Sequence, residues 1–81
     1  PERGPIGDLR VYDAENGTHL VATLRAWLET GGDLPGTAKQ LGVHPNTVRN
    51  RLRKMAEVTT LELNDPRKRR AMIIALAVDG D

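Results

Sequence analysis

Cysteine is absent from these 81 residues. That excludes a disulfide-stapled scaffold and a thiolate zinc site. Long apolar runs are absent too. The longest, Ala71–Val78, has eight residues, against the roughly 20 that a membrane helix needs. Its place at the C-terminal end excludes a signal peptide. Strict apolar/polar alternation over strand length is missing, as are clusters of Phe, Ile and Val between turn signals, so strands are not expected. The length suits one small domain, which buries roughly 60–65% of the surface of its unfolded chain and offers no cleft between two domains. Because the chain opens with Pro1-Glu2-Arg3 and no Met, it is expected to be a fragment of something longer. The expectation is a small soluble cytoplasmic domain.

What charge there is lies unevenly. Residues 1–33 hold three Arg against six Asp and Glu, whereas residues 34–56 hold Lys39, Arg49, Arg51, Arg53 and Lys54 with no acid at all. The last 25 residues are close to balanced, with four basic and five acidic side chains. A polyanion responds to the local field rather than to the net charge of +1, so the wholly basic middle third points to a polyanionic partner. The plainer reading is a solvated helix face.

The pattern along the chain is helical. Pro5 to Glu15 carries a weak stripe of Leu9, Val11 and Tyr12 and closes at Asn16-Gly17, which reads as a short helix or a linker over residues 1–17. Leu20, Val21, Leu24, Trp27 and Leu28 form one apolar stripe of an amphipathic helix, with Thr18 as its expected cap and Thr30-Gly31-Gly32 as its stop. The stripe places Trp27 in the core. Asp33-Leu34-Pro35 starts a short helix through Ala38 and Leu41 that Gly42 ends. Pro45 opens a longer one, whose inward residues are Val48, Leu52, Met55 and Ala56 and whose end falls at Val58-Thr59-Thr60. Asn64-Asp65-Pro66 repeats the cap-then-Pro signal before a last helix from Arg67 to about Val78, stopped by Asp79-Gly80.

The pair of helices either side of Gly42 matches a helix-turn-helix over about residues 34–58. Ala38 supplies the close contact, Gly42 the turn, and Leu41, Val43, Val48 and Leu52 the anchors. The second helix then turns Asn46, Arg49, Asn50 and Arg53 outward, with Arg51 and Lys54 on the flanks. Asn and Arg read adenine and guanine edges bidentately in a major groove, and the remaining cations suit phosphates. A helix solvated for its own sake more often mixes Glu with Lys one turn apart. The face therefore favours duplex DNA.

Three strings carry a family resemblance. Leu20-Val21-Ala22-Thr23-Leu24-Arg25-Ala26-Trp27-Leu28 resembles the L-x-x-T-L-x-x-Y/W-L helix of PucR/CdaR-type bacterial transcription regulators. Thr37 to Leu52 is similar to that family's A-x-x-L-x-V-H-x-N-T-V-x-Y-R-L core, and Leu61-Glu62-Leu63-Asn64-Asp65-Pro66 to its L-D-L-x-D-P link. The resemblance covers roughly residues 5–78. It implies the fold of the factor for inversion stimulation, a place at the C-terminus of a longer regulator, and an effector sensed only by a missing N-terminal part. His44, Asn46, Thr47, Arg49 and Arg51 match family positions at and after the turn. Pro45 departs from the Arg often found there, and Asn50 from the usual Tyr, so the family's operator does not carry over.

The expected site is then Lys39, His44, Asn46, Thr47, Arg49, Asn50, Arg51, Arg53 and Lys54. Arg49, Asn50 and Asn46 are the expected base readers, while Thr47, Arg51, Arg53, Lys54 and Lys39 are the expected phosphate contacts. His44 either caps the second helix or touches a phosphate; Asn46 and Thr47 have the same capping alternative. Arg67-Lys68-Arg69-Arg70 opens the last helix at the end where the dipole disfavours cations, which suggests a phosphate or an acidic partner for it, against a plainly solvated turn. No Ser/His/Asp arrangement, Gly-rich phosphate loop or His/carboxylate set points to catalysis, a metal or a cofactor. The reading is an all-α domain of four to five helices that binds duplex DNA sequence-specifically for a bacterial regulator on the nucleoid. It works as a homodimer, whose seam is either the first segment or Ala71–Val78. The other class in play is a helical dimerisation or interaction module that has lost its DNA contacts.

Overall fold

A computed structural model describes residues 4–78, and these form five helices with no strand among them. In chain order they are α1 (Pro5–Asn16), α2 (Leu20–Glu29), α3 (Leu34–Leu41), α4 (Pro45–Val58) and α5 (Pro66–Val78). The expected stop at Asp79-Gly80 lies outside the described residues. The all-α class and the helix-turn-helix both stand.

The second helix is the hub, packing against all four others. Its stripe buries Leu20, Val21, Leu24 and Leu28 against Ile6 and Leu9 of α1, Met55 of α4 and Leu76 of α5. Trp27 is half-buried and lies against the edge of this cluster rather than inside it. Burial of such aliphatic side chains stabilises a domain by roughly 1.5–3 kcal/mol each, so α2 is the element the fold can least do without.

The cap of α2 corrects the sequence expectation. Thr18 is not the capping side chain. Asp13, near the end of α1, accepts from the Leu20 amide at 2.8 Å and the Val21 amide at 3.0 Å. The Thr18 hydroxyl instead donates to the same carboxylate. One acid on α1 therefore satisfies two of the free amides of α2 and complements its dipole. A second correction concerns Ala56, which is exposed. It stands about 100° round the helix from Met55, at the margin of the apolar stripe. Val48 and Met55 are fully buried and Leu52 half-buried, as the pattern requires.

Candidate nucleic-acid interface

The turn between α3 and α4 is built from local chemistry. The Asp33 carboxylate accepts from the Gly36 amide at 3.1 Å and caps α3. At the far end Gly42 adopts φ 69°, a left-handed conformation that side chains disfavour. The chain then folds back, and the Val43 amide donates to the Ala38 carbonyl at 3.0 Å. Ala38 itself is buried where α3 meets its neighbours.

Two residues later His44 decides where α4 begins. Its ring Nδ1 accepts from the Asn46 amide at 3.0 Å, and Pro45 occupies the first turn, where its missing amide costs nothing. Of the two readings of His44, the capping one is what the geometry shows. Asn46 and Thr47 do not cap the helix; that place is taken.

With Val48 and Met55 anchored inward, α4 turns Asn46, Arg49, Asn50 and Arg53 to solvent, all four exposed. They are linked in pairs. Arg49 Nη1 donates to Asn46 Oδ1, and Arg53 Nη1 donates to Asn50 Oδ1 at 2.9 Å. Lys39 is exposed on α3, the first helix of the motif.

The flanking residues differ from one another. Arg51 stands about 60° round from Val48 and is half-buried, with its Nη1 donating to the Thr23 hydroxyl of α2 at 3.1 Å. Thr23 is fully buried and donates in turn to the His19 carbonyl at 2.8 Å. Lys54 pairs with Glu57 at 3.0 Å. The hydrogen bond from Lys54 to Glu57, then the charge of that carboxylate, raises the ammonium above its ordinary value of 10.5. An acid thus borders the basic face at the first residue beyond the stretch that lacks them.

Thr47, Asn50, Arg51 and Lys54 also line one side of a groove of about 370 Å³, whose other side is Tyr12 of α1 with Thr18 and His19 of the α1–α2 turn. Those three were not among the expected site residues. Nothing in the local pattern links them to α4, since only the tertiary fold brings the segments together. In the basic run that opens α5, Lys68 pairs with Glu62 at 3.1 Å and Arg69 donates to the Leu63 carbonyl at 3.2 Å. Half of that run is therefore held on the preceding linker. Among the described residues, no group of three or more His, Cys, Asp or Glu could hold a metal ion, and no helix is long and apolar enough to cross a membrane.

Residues 20–78 match the model of the PucR C-terminal helix-turn-helix domain. The chain belongs to this family. Similar proteins include an uncharacterised protein of Mycobacterium tuberculosis, 34% identical over 96% of this chain and 21% of that protein. The proline-responsive transcriptional activator PutR of Bacillus subtilis is 32% identical over 84% of this chain and 16% of its own. The carbohydrate diacid regulator of Escherichia coli is 33% identical over 95% of this chain and 20% of its own. The chain thus spans about a fifth of the length of these curated relatives. No solved structure matches it. The PucR-type domain is a DNA-binding module of bacterial transcription regulators, not an enzyme family.

Proposed function

We propose that this PucR-type domain binds duplex DNA sequence-specifically, with α4 lying in the major groove. The observation that carries this reading is the outer face of α4. Four exposed Asn and Arg side chains stand opposite two fully buried anchors, Val48 and Met55. Arg49, Asn50 and Asn46 face the bases, while Lys39, Thr47, Arg53 and Lys54 are placed for phosphates beside them. Arg51 reaches a phosphate only with the nitrogens that its bond to Thr23 leaves over. His44 contributes through the start of α4 rather than by contact.

A single module reads few base pairs, so a homodimer on a two-fold operator completes the reading. Of the two candidate seams α5 is favoured, because Ile73, Ile74 and Val78 are 45%, 63% and 78% exposed. The domain serves as the output end of a longer regulator acting on the nucleoid in the cytoplasm. Any small-molecule effector acts through parts outside these 81 residues.

The test is a titration of the domain into labelled duplex DNA at several salt concentrations, beside Arg49→Ala. Micromolar or tighter binding that falls steeply with salt and weakens in the variant is the expected result. A folded, dimeric sample that binds no duplex even at low salt would instead make this an interaction module.

A further inference from the structure

The outer face of α4 does more than gather Asn and Arg; it pairs them. Each Arg donates to the Asn three residues before it, Arg49 to Asn46 and Arg53 to Asn50. The pairing changes what each Asn offers to DNA. A free carboxamide reads adenine by accepting from N6–H2 while donating to N7. Here one of the oxygen's two lone pairs already holds a guanidinium N–H, so the neighbouring guanidinium donors would crowd the N6–H2 donors of an approaching adenine. Each pair therefore presents chiefly donors, the carboxamide NH2 and the unused guanidinium N–H groups, against one remaining lone pair on the oxygen. Guanine offers O6 and N7, both acceptors, on its major-groove edge.

We infer that Asn46–Arg49 and Asn50–Arg53 act as two composite guanine readers, and that Asn46 and Asn50 position their arginines rather than read adenine. This rests on the proposal that α4 enters the major groove, and it moves Arg53 from the phosphate contacts to the base readers. Pairing also holds each long Arg side chain in one direction, which reduces the freedom lost on binding. The two Arg are four residues apart, about 6 Å of helical rise and about 40° round the axis, so they share a face. Base steps of roughly 3.4 Å set that separation at about two steps. Each half-site therefore carries two guanines on the strand facing α4, about two steps apart.

The experiment selects duplexes from a random pool with the 81-residue domain, then remeasures affinity with 7-deazaguanine, which lacks the N7 acceptor, at each selected guanine. The expected outcome is a pair of guanines at that spacing. Each replacement should weaken binding by about 5- to 150-fold. Arg49→Ala should relax the preference at one position and Arg53→Ala at the other. Asn46→Ala and Asn50→Ala should weaken the guanine preference without creating an adenine one. Salt-sensitive binding with adenines at these positions, or no penalty from 7-deazaguanine, overturns the inference and leaves duplex binding standing. Failure to bind any duplex at low salt overturns both.

Discussion

The Arg51 guanidinium donates to the Thr23 hydroxyl at 3.1 Å, linking α4 to the middle of α2 across 28 residues of sequence. The helix proposed to enter DNA is thereby fixed to the hub of the core by a charged hydrogen bond as well as by Met55. Thr23→Val removes the acceptor while keeping the shape. It should cost about 1.5–3 kcal/mol of stability, read as a lowered denaturant midpoint. An unchanged midpoint would show that the link carries no weight.

Asp13 holds the first amides of α2 from the end of the preceding helix. Asp13→Ala should destabilise the domain by about 0.5–2 kcal/mol, the usual worth of a lost cap. Thr18→Ala should cost less, because Thr18 only supports the carboxylate. Thermal melts of the two variants decide this, and equal or reversed losses would return the cap to Thr18.

Most of the helix boundaries were legible because short-range chemistry writes them. Asp33-Leu34-Pro35, Gly42, Pro45 and Asn64-Asp65-Pro66 each punctuate a helix within one turn of its end, and the apolar stripes of α2 and α4 lie between them. The outward direction of Asn46, Arg49, Asn50 and Arg53 followed from Val48 and Met55 by helical geometry alone. Asp13 was illegible as a cap because it lies seven residues before the first amide it binds. The partner of Arg51 and the groove shared by Thr47 and His19 arise only when α1, α2 and α4 meet. Ala56 misled because a small residue at the margin of a stripe fits either side.

Lys54 and Glu57 form an exposed pair at the end of the basic face. Because the pair raises the lysine, its contribution to folding is complete below the ordinary lysine value and disappears as pH rises through the raised one. Lys54 therefore stays cationic across neutral pH. Glu57→Gln frees it for phosphate, so duplex binding should tighten and the salt slope steepen by about one unit. A slope and affinity unchanged from the parent would remove Lys54 from the phosphate contacts.

Ile74 is the most exposed isoleucine on α5, at 63%. Placed at a dimer seam, Ile74→Glu should convert dimer to monomer at micromolar concentration, seen by sedimentation velocity, with helical content unchanged. A variant that sediments like the parent would move the seam to α1.

The measurement that bears most directly on the central claim is a titration of isotopically labelled domain with an operator-like duplex, followed residue by residue in amide NMR spectra. The largest shifts are expected along α4, with Asn46, Arg49, Asn50 and Arg53 foremost and Lys39 and the Gly42 turn beside them. Shifts that gather on α5 while α4 stays unperturbed would contradict it.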